Sequence, residues 1–181
     1  MRVSKAKAAE NRGRILTEAA RLFREFGLSG VGVDTLTEAA GLTHGSLYSQ
    51  FGSKERLATE ALDHALTMTS ARMNDAVTLD AYVAQYLSAD HRERRGDGCA
   101  IAALAGEIPR QSAVIRHRFT DAVRTVARRI ASLIPGRHAP EEEALAIVAT
   151  MIGALTLARA VDDPDLSDRI PAAVRARLAP I

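Results

Sequence analysis

Apolar residues recur along this chain at intervals of three and four, the spacing of helices that each bury one stripe. Between residues 5 and 26 the stripe is Ile15, Leu16, Ala19, Leu22, Phe23 and Phe26, and Gly27 ends it. Residues 28–32 are a glycine-rich connection. Val33, Leu36, Ala39 and Ala40 then share one face of a short second helix, with Asp34 in its dipole-favoured first turn. Gly41 can end that helix in a left-handed conformation at little cost. Leu42 turns back toward it, and Thr43 is placed to cap a third helix by accepting a backbone N–H. In the third helix Leu47 and Phe51 point inward, which leaves His44, Gly45, Ser46, Tyr48, Ser49 and Gln50 outside.

Farther along, Ser53 is placed to cap a long helix over 54–75, with Leu57, Ala61, Leu62, Ala65, Leu66 and Met73 inward. A fifth helix spans 79–87. The charged stretch 88–98, SADHRERRGDG, reads as a surface loop. Residues 99–107, CAIAALAGE, form a short apolar helix that stops before Pro109. A helix over 112–134 turns Ile115, Phe119, Val123, Val126, Ile130, Leu133 and Ile134 inward, and Pro135 and Gly136 break it. Pro140, at a first helical position, and three glutamates open the next helix, 140–161. That helix is apolar nearly all round, so one face packs on its own domain and the other requires cover from elsewhere. Residues 162–168 read as a turn before a last helix, which Pro171 should kink or which should begin just ahead of it. The whole is predicted to be all-α, with about nine helices.

Composition agrees. The chain has 181 residues, 47% hydrophobic and 25% charged, which excludes a disordered chain. Few aromatics and no tryptophan favour packed helices over strands. No apolar run of about 18 residues is apparent, so no transmembrane helix and no membrane partner are expected. The basic N-terminus lacks the apolar core of a secretory signal. A single cysteine excludes an internal disulfide and fits a reducing cytoplasm. A net charge of +2 does not mark a nucleic-acid binder, but Arg2, Lys5, Lys7, Arg12 and Arg14 face only Glu10 in the first fourteen residues. Such an arm suits phosphate contact, although a solvated terminus has the same composition.

Catalytic constellations are lacking. The five histidines, 44, 64, 91, 117 and 138, have no paired metal spacing, and the carboxylates are spread along helix surfaces. No catalytic residue, metal or cofactor is predicted, and an enzyme is not expected. Cys99 has reactive potential near a helix N-terminus, with Arg94 and Arg95 close in sequence. It also fits the usual role of a small buried apolar residue.

An outer face of small polar groups with one aromatic suits a DNA major groove, where a helix-turn-helix places its second helix. An ordinary helix-glycine-helix corner has the same apolar spacing, but the basic flanks and Lys54 favour DNA. The stretch AAGLTHGSLYSQFGSKERL, residues 39–57, resembles the signature of TetR-type transcriptional regulators at Ala40, Gly41, Leu42, Thr43, Gly45, Leu47, Tyr48, Phe51, Lys54 and Leu57. The resemblance implies a three-helix DNA-binding domain over 1–53, helix 54–75 as connector, and a helical regulatory and dimerisation domain over 54–181. The residues expected at DNA are Thr43, His44, Gly45, Ser46, Tyr48, Ser49, Gln50 and Lys54, with Tyr48 and Lys54 matching backbone-contact positions. Asp34 departs from many relatives, which carry a neutral or basic side chain there.

The activity implied is that of a homodimeric repressor on a palindromic operator of double-stranded DNA. A small molecule in the C-terminal helices would release it by tilting helix 54–75. Bulky or polar residues on inward faces make Met68, Arg72, Tyr82, Tyr86, Cys99, Phe119 and Met151 the pocket candidates. The dimer seam is expected at Met151, Gly153, Ala154, Leu155, Leu157 and Ala158, so a charge at Leu155 or Leu157 should break it. Two alternatives stay open: a redox or electrophile sensor working through Cys99, and a helical interaction protein without DNA binding.

Overall fold

Ser4 opens the first helix, its hydroxyl accepting the Lys7 backbone N–H at 3.2 Å, one of the donors that a helix start leaves without a partner. The computed structural model describes residues 4–73, 75–134 and 141–178; Arg2, Asn74, Pro135, Gly136 and Pro140 lie outside them. α1 (Lys5–Phe26) has the predicted bounds and buries Ile15, Ala19, Ala20, Leu22 and Phe23. Phe26 is 63% exposed rather than part of the stripe. Leu28 and Val31 of the following connection fold back and fill that part of the core instead.

α2 (Val33–Ala39), α3 (His44–Phe51) and α4 (Lys54–Met73) follow. Gly41 takes a φ of 62°. The backbone closes there by two bonds, Gly41 N–H to Glu38 O and Leu42 N–H to Thr37 O, both 2.8 Å, the pairing that satisfies a helix end when a left-handed residue follows it. Ala39 faces solvent, and Thr37 is buried in its place because its hydroxyl donates to the Val33 and Asp34 carbonyls. Thr43 stands at the start of α3 but does not cap it: its hydroxyl meets that of Ser46 at 3.2 Å and no backbone N–H. Ser53 does cap α4, through the Arg56 N–H at 3.1 Å.

The remaining helices are α5 (Leu79–Tyr86), α6 (Ala89–Glu93), α7 (Ala100–Leu104), α8 (Ala113–Ala131), α9 (Glu141–Ala160) and α10 (Pro164–Leu178). Among the described residues there are thus ten α-helices, plus 3-10 turns at Arg95–Asp97 and Ile108–Arg110, and no strand. Stretch 88–98 is therefore not a loop. Ser88 accepts the His91 N–H and starts α6, while Gly96 and Gly98 are buried as the stretch packs on α1. α10 begins inside the predicted turn, because the Asp163 carboxylate accepts the N–H groups of Asp165 and Leu166 at 3.0 and 3.2 Å. It then continues through a buried Pro171.

Two apolar cores result. One joins α1–α4 with Ala100, Leu104, Ile108 and Ile115. The other joins the end of α4 with α5, α8, α9, α10 and Cys99, Ile101 and Ala102. α4 runs through both, and Leu66 and Phe119 touch both.

α9 packs on α7, α8 and α10. By length and composition it could also cross a membrane, contrary to the expectation from sequence, although part of it is buried inside the subunit. Met151, Ala154, Leu155 and Ala158, expected at a subunit seam, instead face the subunit's own core. The outer face carries Leu145, Ala149, Gly153 and Leu157.

Candidate nucleic-acid interface

α3 is anchored by Leu47 and Phe51, both fully buried. That anchoring turns Thr43, His44, Gly45, Tyr48 and Ser49 outward, with Ser46 and Gln50 half-buried at the margin. The face is ordered by its own contacts. The His44 ring stacks on Tyr48, centroids 5.3 Å apart, and its Nδ1 lies 3.0 Å from an Asp34 carboxylate oxygen. Asp34 thus holds a base-reading candidate in place, a role the sequence reading did not assign to it. The Ser49 hydroxyl donates to the Ser46 carbonyl at 3.0 Å. Gly45 stands in open space: a Cβ there would meet nothing within 4 Å. Glycine in a helix costs roughly 1 kcal/mol against alanine, and the subunit's own packing does not require one here.

The basic arm divides into different roles. Arg12 does not reach outward. One of its Nη atoms donates to the Gln50 carbonyl at 2.9 Å, the other pairs with Glu60, and the guanidinium lies 4.2 Å from the Phe51 ring centroid. It clamps the end of α3 between α1 and α4, a tertiary pairing with no signal in local sequence. Lys7 pairs with Glu10 at 2.9 Å, while Lys5 and Arg14 are exposed. Lys54, half-buried at the start of α4, makes no ion pair among those found in the described residues. Lys54→Ala is expected to weaken binding to all duplexes about equally and to flatten the salt dependence by about one unit; titrations at several salt concentrations check this, and an unchanged slope removes Lys54 from the interface.

The family description for bacterial regulatory proteins of the tetR family matches residues 15–61, the span from mid-α1 into α4. The HTH-type transcriptional regulator Rv0196 of Mycobacterium tuberculosis is 32% identical over an alignment of 169 positions that covers 82% of this chain and 84% of the relative. The chain belongs to the TetR family. The HTH-type transcriptional repressor KstR2 of the same organism is 41% identical over 66 residues, 36% of this chain and 33% of that protein. In fold, the chain is similar to a TetR family transcriptional regulator from Cytophaga hutchinsonii, with a TM-score of 0.81, 22% identity, and coverage of 100% and 98%. This TetR-family chain is therefore a helix-turn-helix, DNA-binding transcriptional regulator and not an enzyme.

The pocket candidates separate. Tyr82, Tyr86, Cys99 and Met151 line one cavity in the second core. Arg72 lines an adjoining surface cleft. Met68 is exposed, and Phe119 packs at the junction of the two cores. Cys99 is buried, its backbone N–H donating to His91 Nε2 at 2.9 Å. His91 Nδ1–H in turn donates to the Tyr86 carbonyl at 2.6 Å, so the ring is neutral with its tautomer fixed by both neighbours.

Sequence scatter gave no hint of His91, of the half-buried Arg159 or of the buried Arg24. Arg159 donates to the carbonyls of His91 and Arg92 at 2.5 and 3.1 Å. Arg24, reaching from α1, donates to Gly98 O at 3.2 Å, and burial pushes both guanidinium groups down from their ordinary value. Segment 96–99 thereby ties the DNA-binding end of the chain to the cavity.

Burial, with Arg159 and Arg72 nearby, pushes His91 below its ordinary 6.5, although the Tyr86 carbonyl and Asp90 oppose this. The folded state then holds fewer protons than the unfolded chain just below pH 6.5, so this contribution is complete above 6.5 and is lost as pH falls through the lowered value. The melting temperature should fall between pH 7 and 5 more steeply for wild type than for His91→Gln; equal slopes exclude His91 as the titrating group.

Proposed function

We propose that this regulator is a repressor that binds a near-palindromic operator as a homodimer and leaves it when a small molecule occupies the C-terminal helices. In this reading residues 1–53 form the DNA-reading domain, helix 54–75 is the connector, and 54–181 regulate and dimerise. The observation that carries it is the ordered, exposed outer face of α3; in this reading Thr43, His44, Gly45, Ser46, Ser49 and Gln50 read bases while Tyr48 and Lys54 hold phosphates. A glycine that the fold does not need and a histidine held between Asp34 and Tyr48 suit a face shaped for an external surface.

Repression is supported by the likeness to KstR2, a repressor, over the DNA-binding part alone. The dimer is supported by α9. Leu157, 57% exposed, and Leu145 stand outside beside Gly153, which leaves open space for a second helix. A two-fold partner covers such a patch with its own copy, and two heads then meet successive major grooves about 34–36 Å apart. Control by a ligand is supported by the cavity beside segment 96–99, and a ligand acts only so far as it binds the DNA-free arrangement better. The cytoplasm, where the chromosome lies, is the compartment this activity requires.

Selection of bound sequences from random DNA by the purified chain tests the reading. Recovery of a two-fold symmetric site, bound by a dimer in light scattering, is the expected result; an asymmetric site or no enrichment rejects it. The placement of Cys99 in the cavity favours one second reading, a thiol sensor. In that case an alkylating agent releases DNA from wild type and not from Cys99→Ser.

A further inference from the structure

The ring of His44 is held in two ways. Its Nδ1 lies 3.0 Å from an Asp34 carboxylate oxygen, and its plane lies 14° from that of Tyr48, with centroids 5.3 Å apart. A carboxylate accepts hydrogen bonds and donates none. The proton of this bond therefore sits on Nδ1, whatever the charge of the ring. The character of Nε2 is left to that charge alone: a lone pair in the neutral imidazole, an N–H in the cation. Nε2 has no hydrogen-bond partner among the described residues. Of the charged and titratable groups on the helices around α3, Asp34 and Tyr48 touch the ring. Arg12 and Glu60 pair with each other, and among the described residues Arg14, Glu38 and Lys54 make no ion pair or hydrogen bond with it. Asp34 and His44 are both mostly exposed, so their pairing adds little to stability. Its consequence lies in what the ring offers to a surface docked on α3.

We propose that Asp34 is a specificity-determining residue, which makes base reading by His44 depend on a proton. The inference rests on the reading of α3 as the base-reading helix and gives one of its contacts a chemical class. In the major groove adenine and cytosine present an exocyclic amine, whereas guanine and thymine present a carbonyl at the corresponding ring position. With the ring neutral, Nε2 is an acceptor and selects an amine base. With the ring charged, Nε2–H is a donor and selects a carbonyl base, guanine above all because its N7 is a second acceptor beside O6. Without Asp34 the neutral ring loses this order. A free imidazole carries its proton mainly on Nε2, so it donates to the groove in both charge states.

Selection from random DNA with the full chain and with His44→Ala identifies the base pair that His44 reads, as the pair whose preference the variant loses. Duplexes carrying each base in turn at that position are then titrated at pH 6 and pH 8.5, either side of an ordinary imidazole. Wild type is expected to favour an amine base at pH 8.5 and a carbonyl base at pH 6, by about tenfold in Kd each time, the value of one hydrogen bond. Asp34→Asn keeps the size of the side chain but can donate to Nδ1, and should favour a carbonyl base at both pH values. His44→Gln, whose amide both donates and accepts, should show a preference that does not change with pH. Melting temperatures of these variants should match wild type at pH 8.5, so that a changed base choice is not a changed fold. The wild-type comparison between the two pH values decides the matter even where a variant fails to fold. One preferred base at both pH values in wild type, a reversed order, or a switch that persists in Asp34→Asn overturns the proposal. The two levels separate. A two-fold site enriched with the same bases at both pH values overturns the proton-dependent contact and leaves the repressor reading intact. No enriched site at either pH overturns the reading of α3, and this inference with it.

Discussion

Leu155→Glu and Leu157→Glu, neighbours on α9, are expected to fail in opposite ways. Leu155 has no exposed surface and packs in the second core. A carboxylate there has no cation to pair with among its apolar neighbours, at a cost of several kcal/mol. Domains of this size are stable by about 5–15 kcal/mol in total, so Leu155→Glu should lose most or all of its fold. Leu157 projects outward, where a surface substitution usually changes stability by less than about 0.5 kcal/mol. Its helix content and monomer fold should therefore survive. In a two-fold seam, however, each copy of the patch meets its mate, so the substitution buries two carboxylates at once. Leu157→Glu should be a folded monomer that binds operator orders of magnitude more weakly than wild type. Circular dichroism with light scattering distinguishes the two results. A folded, dimeric Leu157→Glu protein that binds operator normally would remove the outer face of α9 from the dimer.

The second large effect is expected on α3. His44→Ala and Gln50→Ala should each relax preference at one or two base pairs, by about 1–3 kcal/mol per lost contact, while leaving affinity for random duplex nearly unchanged. Asp34→Ala should reproduce part of the His44 effect, because Asp34 holds that ring at 3.0 Å. Gly45→Ala provides the sharper separation of fold from function. No atom of the subunit opposes the added methyl group, so folding stability should hold or rise by up to about 1 kcal/mol. DNA binding should nonetheless weaken if the backbone approaches a base edge. Melting curves and competition between selected operator and random DNA measure the two quantities on one sample. Equal losses on both DNAs for His44→Ala and Gln50→Ala would take base reading away from α3.

Much of this protein was determined locally. The bounds of α1, the left-handed turn at Gly41, the anchoring of α3 by Leu47 and Phe51 and the Ser53 cap each depend on residues within a few positions of one another. Spacing and capping express such interactions directly, which is why the helix-turn-helix and its family were legible from residues 39–57. Segment 88–98 and the start of α10 were missed although their caps, Ser88 and Asp163, are equally local, because charge and turn-forming residues outweighed the capping signal.

Only the tertiary structure decided the rest. An apolar helix such as α9 offers no periodic contrast, so which of Leu155 and Leu157 faces inward depends on where α7, α8 and α10 lie. Arg12 looked like a phosphate ligand until the fold brought Gln50, Phe51 and Glu60 around it. Met68 and Tyr86 are both bulky residues on amphipathic helices, yet one meets solvent and the other closes a cavity beside Cys99. The physical reason is common to all of these: helical spacing records that a side chain is buried, whereas its partner across the core is set by contacts between residues far apart in the chain.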